Sequence, residues 1–220
     1  MNKKQITVVA ILIVVAIAFT LGLNAYYQKV NQQQALIAQS NLAAMERSDA
    51  PVFGASTAKV TIVEFIDPAC ETCKTFYPLV KTLVKENPGR IKSVIRYAPL
   101  HPGSDQVVKA LEAARLQNLF WPALEALFNG QASWASHSGP DINNIWPLLQ
   151  GAGVNVEQAR KDMGSEKIDQ ALRRDMGDLA TLKISKTPTF FVNGKPMPTF
   201  SFEALQQLVS DEMKVQYGKP

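Results

Sequence analysis

Apolar residues fall along this chain in several rhythms, and each rhythm predicts a different kind of element. From Ile6 to Leu23 they run for eighteen residues without a charge, interrupted only by Thr7 and Thr20. At about 1.5 Å of helical rise per residue, that length just spans the hydrocarbon core of a bilayer. Lys3 and Lys4 precede the run, and basic flanks stay cytoplasmic, so everything after residue 24 is expected outside. The run exceeds the roughly 7–15 apolar residues of a cleaved signal, and Leu23-Asn24-Ala25 is a loose match to a small-residue cleavage site. Residues 1–24 therefore read as a retained single-pass signal-anchor helix, with cleavage after Ala25 as the alternative. Residues 25–50 are polar and Gln-rich, with Leu36, Ile37, Leu42 and Met45 as a narrow apolar stripe. They predict a helical stalk whose stripe is too short to define a coiled coil. The globular domain is expected over residues 51–220.

Val60 to Ile66 is a run of β-branched and aromatic residues, which reads as a buried strand. After Asp67-Pro68 the period changes: Phe76, Leu79, Val80, Leu83 and Val84 recur at helical spacing, predicting a helix from Cys70 to Asn87 that Pro88-Gly89 stops. Ile91 to Tyr97 returns to strand, and strand, helix and strand in this order make a right-handed parallel βαβ unit. His101 lies between two prolines and reads as a loop residue rather than an acid–base group. From Ser104 to Ile184 the pattern is helical, with helices marked by Val107, Val108, Leu111 and Ala114, by 120–128, and near 141–150, 156–163 and 166–183. Trp121, Trp134 and Trp146 belong to the packing of these helices. Phe190–Val192 and Pro196–Phe200 flank Asn193-Gly194, a strong hairpin signal, and Ser201 can cap a last helix carrying Phe202, Leu205, Leu208 and Val209.

Composition narrows the class. With 46% hydrophobic and 19% charged residues, the 220-residue chain can build a sizeable core. Its net charge of +4 is interspersed. Arg173-Arg174 sits among Asp169 and Asp175, a solvated helix face, and no basic stripe with interleaved aromatics points to nucleic acid.

The two cysteines are the sharpest signal. A bridge between residues three apart closes too short a loop to act as a staple. His101 and His137 stand at no zinc-finger spacing, so no metal is assigned. Cys70 and Cys73 sit where the strand ends and the helix begins. Residues three apart share one helix face with Cβ atoms about 5–6 Å apart, a spacing that permits a disulfide. The helix N-terminus stabilises a thiolate on Cys70, and Cys73, one turn in, is the more buried partner that resolves a mixed disulfide. Glu64 is an acid inside an apolar strand, and burial without a partner points to function.

A dithiol at a strand–helix junction, with Thr187-Pro188-Thr-Phe-Phe-Val-Asn-Gly194 far downstream before a hairpin and final helix, resembles the thioredoxin superfamily. The helical insertion, about residues 104–184, makes the chain similar to the DsbA-like disulfide oxidoreductases. The resemblance covers residues 58–216 and implies an α/β thioredoxin-like fold with an inserted all-helical subdomain. It implies Cys70 as nucleophile and Cys73 as resolving cysteine. Thr187-Pro188 matches the family's cis-proline loop, where the backbone of residue 187 faces the sulfur and pairs with an extended substrate peptide as an added strand. Glu64 matches a buried acid that moves protons to and from the resolving thiol. The strongly oxidising members carry Pro-His between the cysteines, whereas this chain carries Glu71-Thr72. A carboxylate close to Cys70 raises its thiol pKa, so Glu71 predicts a potential more reducing than theirs.

The resemblance implies no cofactor. It implies exported proteins bearing thiols or disulfides as substrates, a membrane redox partner, and a catalytic domain on the periplasmic side of a bacterial inner membrane. The direction of exchange stays open between oxidase, reductase and isomerase. The alternative from another class is a metal-handling or redox-sensing chaperone whose thiolates hold Cu(I).

Overall fold

The computed structural model describes residues 2, 12–13, 15, 17–30, 32, 36, 44–136 and 139–218. Two units divide the chain, residues 1–40 and 41–220. In the first, residues 17–30 are helical. Much of the expected anchor over 6–16 and of the stalk over 31–43 lies outside the described residues. Among those described, no helix is long and apolar enough to cross a membrane.

The second unit is built on a five-stranded sheet of order β1-β3-β2-β4-β5. Its strands are β1 (Val52–Gly54), β2 (Val60–Ile66), β3 (Ile91–Tyr97), β4 (Thr189–Val192) and β5 (Lys195–Pro196). β2 is central and buried at every residue, which its unbroken apolar run requires. It pairs parallel with β3 and antiparallel with β4, whereas β1 runs antiparallel to β3. β1 has three residues, too few to show a period, and the sequence pattern did not reveal it. Asn193 and Gly194 both take positive φ, as the hairpin signal requires. The second hairpin arm is only two residues long instead of reaching Phe200. Pro196 and Pro198 have no N–H to offer a ladder.

Helix α1 (Glu71–Glu86) and the last helix, α7 (Phe202–Tyr217), pack on one face of the sheet, where Phe76, Val80, Leu205 and Val209 meet Ile62, Phe190 and Val192. Ser201 caps α7 by accepting from the Ala204 N–H. Between β3 and β4 lie α2 (Ser104–Leu116), α3 (Phe120–Asn129), a 3-10 turn (Gln131–Ser133), α4 (Ile142–Gly151), α5 (Val156–Asp162) and α6 (Glu166–Leu182). Their shared core holds Leu111, Leu124, Ile145, Trp134 and Trp146, and it reaches Cys73 and Tyr77 of α1.

Packing of the domain begins before residue 51, where the sequence pattern had placed its start. Met45 is fully buried against Val63, Phe65 and Leu179. Arg96, on the same sheet face, is 1% exposed. It donates to Asp175 and Asp178 of α6 and to the carbonyls of Ala44 and Met45. Arg47 then closes a bidentate pair with Asp178. The polar look of this segment hid it, since its anchors are one Met and one Arg. Removing one partner of a buried ionic group leaves the rest uncompensated. Arg96→Ala is therefore expected to lower the unfolding free energy by about 3–5 kcal/mol, read from urea denaturation. A loss below about 1 kcal/mol would show that the surface-type value applies instead.

Candidate active site

β2 ends at Ile66, and a three-residue turn, Asp67-Pro68-Ala69, carries the chain into α1 with Cys70 as its N-cap, in extended backbone. Asp67 fixes that turn. Its carboxylate is fully buried and accepts from the Ala69 and His101 N–H groups, the Ser104 hydroxyl and His101 Nδ1, at 2.8–3.0 Å. From the helical insertion, buried Gln131 donates to the carbonyls of Pro68 and Cys70 at 2.9 and 3.1 Å. The cysteine loop is thus clamped from both sides. His101, expected as a plain loop residue, is part of this clamp. Gln131 carries no sequence signal, because a lone Gln in a Gly/Ser-rich loop looks solvated.

Both cysteines are free thiols. The Cys70 thiol is pulled down to about 5. The largest influence is a hydrogen bond from Cys73. The Thr187 side chain and the N–H groups of Cys73 and Thr72 act in the same sense, against desolvation. These donors face the sulfur at a helix N-terminus, where negative charge is favoured. Cys73 is fully buried, and desolvation together with the Cys70 charge pushes its thiol well above the ordinary value. The bond Thr187–Pro188 is cis, and the Cys70 thiol lies 3.4 Å from the Thr187 carbonyl oxygen. Thr72 enters through its backbone. Glu71 is exposed in the first turn of α1, where solvent screens its charge.

Glu64 is 0% exposed, and neither carboxylate oxygen has a hydrogen-bond partner among the described residues. Burial, with a smaller contribution from the Cys70 charge, raises its pKa to about 8. An isolated carboxylate is expensive to desolvate, so the group is a neutral acid at pH 7. Six of the seven sequence-named positions therefore converge: Cys70, Cys73, Thr187 and Pro188 at the sulfur, Thr72 at its amide, and Glu64 electrostatically coupled to both thiols. Glu71 points its effect into solvent.

Two free thiols thus stand at a strand–helix junction beside a cis-proline, on a thioredoxin-like fold. The sequence matches the thioredoxin family over residues 46–211, and the chain belongs to that family. Among curated proteins it is 28% identical over 142 residues to the Na(+)/H(+) antiporter NhaA of Herminiimonas arsenicoxydans, covering 64% of this chain and 22% of that one. The chain thus spans about a quarter of the length of the first curated relatives it matches. It is 26% identical over 226 residues to a probable disulfide bond formation protein D of Bacillus anthracis, covering 97% of this chain and 99% of that protein. Among solved structures, a thioredoxin-like oxidoreductase of Silicibacter pomeroyi superposes with a TM-score of 0.68 at 25% identity, covering 79% of this chain and 97% of that one.

The thiol asymmetry is directly measurable. Thiolate absorbance of the reduced protein is expected to titrate near pH 5, with iodoacetamide at pH 6 alkylating Cys70 and sparing Cys73. A single titration in the ordinary range, about 8.5, would contradict the geometry.

Linkage gives a second test. Between about pH 5 and 8 the folded protein has lost the Cys70 proton that the unfolded chain still holds, so this group makes stability rise with pH. Over much of the same window it keeps the Glu64 proton that the unfolded chain has lost, which makes stability fall. The two slopes oppose each other, so reduced wild type is expected to be nearly flat in urea titrations. Reduced Glu64→Gln should gain stability as pH rises, and a flat profile there would refute the pairing.

Proposed function

We propose that the protein is a thiol:disulfide oxidoreductase of the DsbA-like type, exchanging disulfides with exported proteins through Cys70 and Cys73. The observation that carries this reading is the contrast between the two thiols. One is held as a thiolate at the N-terminal end of a helix, and the other is more deeply buried and protonated near a neutral acid. The enzyme class also rests on the likeness to disulfide bond formation protein D.

In the donating direction a substrate thiolate attacks Cys70 of the oxidised pair. The Cys70–Cys73 bond breaks as the mixed disulfide forms, and Cys73 leaves as a thiolate that takes a proton from Glu64. A second substrate thiolate then attacks the substrate sulfur of the mixed disulfide. The substrate departs oxidised, and Cys70 is released as its stabilised thiolate. The backbone at Thr187, beside the Cys70 sulfur, would pair with the substrate as an added strand. A thiolate held this well makes reduced enzyme the favoured product, so the direction is donation of disulfides, with a membrane redox partner to take the electrons on. Reductase or isomerase activity is the competing direction. The segment 1–24 serves as the membrane anchor in this reading and puts the domain in the periplasmic space, a role that rests on the apolar run of Ile6–Leu23.

Turnover of a reduced peptide substrate under a glutathione poise tests the proposal. Cys70→Ser is expected to abolish it, and Cys73→Ser to accumulate a covalent mixed disulfide visible by non-reducing mass analysis. Glu64→Gln should slow exchange by about 100-fold, the lower end of general acid–base contributions. Absent turnover together with one bound metal per chain would favour the metal-handling reading.

A further inference from the structure

The exchange leaves one physical problem. Glu64 is enclosed and must recover its proton from solvent in every cycle. β4 faces it with Phe190 and β3 with Ile95, both apolar. The titratable groups on this side are Cys70 at the N-cap of α1, Cys73, Tyr77 and Lys81 within α1, Glu125 of α3, and Tyr97 of β3, whose hydroxyl is committed to Glu112. A narrow cleft is lined by Glu64, Tyr77 and Lys81 together, walled by Phe53 and Trp121. It has room for a single water. At its outer side the Tyr77 hydroxyl donates to Glu125 Oε1 at 3.0 Å, and the Lys81 ammonium pairs with the same oxygen. Exposure climbs along this series, from 0% at Glu64 and 9% at Tyr77 to 24% for the Lys81 side chain and 37% for that of Glu125.

We propose that the Tyr77–Glu125–Lys81 cluster is the proton outlet of Glu64, connected to it by one water in the cleft. The inference rests on the reading of Glu64 as the acid that serves Cys73. When Cys73 leaves as a thiolate, its sulfur gains the Glu64 proton and Glu64 becomes a carboxylate. The cleft water passes a proton to that carboxylate and draws one from the cluster, which refills from solvent. No electrons move in this step. The Lys81 ammonium lies at the same cleft, where its charge favours the transient carboxylate. Tyr77, Glu125 and Lys81 are positioning residues, since none touches a reacting sulfur. The helical insertion, through α3, thereby supplies part of the proton path of a site built on the sheet.

The test uses the full chain and steady-state turnover of a reduced peptide under a glutathione poise, from pH 5.5 to 8.5, in wild type, Tyr77→Phe, Glu125→Gln and Glu64→Gln. The outlet variants are expected to slow turnover about tenfold at pH 6–7, one power of ten below direct acid–base catalysis. The pair's potential should stay unchanged, and added imidazole buffer should restore the rate. Wild-type rates and pH profiles in both outlet variants, with Glu64→Gln slow, would overturn the outlet alone. Slowing accompanied by a shifted potential and no rescue by imidazole would mark a structural role and overturn it as well. An unchanged rate in Glu64→Gln would remove the acid itself, and the outlet with it.

Discussion

A thiolate on Cys70, held by the S–H of its own partner and by the amides of the first helical turn, is the interaction on which the rest of this structure depends. It requires a sulfur at a helix N-terminus with its neighbour one turn inward. That in turn requires a strand ending in a tight turn directly before the helix. β2 supplies the strand, and its complete burial makes the end rigid. Asp67 and Gln131 then fix the turn from the sheet side and from the insertion. Their side chains hold the backbone on which Cys70 sits, and the Asp67 backbone also hydrogen-bonds Cys73.

The second constraint is the uncompensated acid beneath Cys73. Glu64 lies in the central strand among apolar side chains, with no partner for either oxygen among the described residues. Such a group destabilises the fold whenever it ionises. Its charge is felt by the buried Cys73 thiol, which the proposed exchange must protonate. Thiolate and acid also oppose one another in their pH dependence. Reduced protein is thereby buffered against the loss or gain of stability that either group would impose alone.

Much of this was legible in the sequence because it depends on local pattern. The β2 run, the change of period at Asp67-Pro68, the helices of the insertion and the Asn193-Gly194 turn each announce themselves within a few residues. Cys70, Cys73 and Glu64 follow from their positions on those elements. What stayed hidden is long-range. β1 has three residues and forms only because β3 presents an open edge. Met45 and Arg47 look like stalk residues until Arg96 and Asp178 are brought beside them. Gln131 and Glu125 act on groups more than forty residues away, and nothing in their neighbourhood marks them. For Glu71 the sequence supplied the charge, but only the structure supplied its exposure.

The equilibrium potential of the Cys70–Cys73 pair, measured in glutathione buffers on the folded chain, tests the central claim most directly. A Cys70 thiol near 5 lies between those of strong oxidants and strong reductants of this fold, at about 3.5 and about 7. The potential is therefore expected between their values, about −120 and about −270 mV. A value at or below about −270 mV would mean that the thiolate is not the stabilised species, and would contradict disulfide donation by this site.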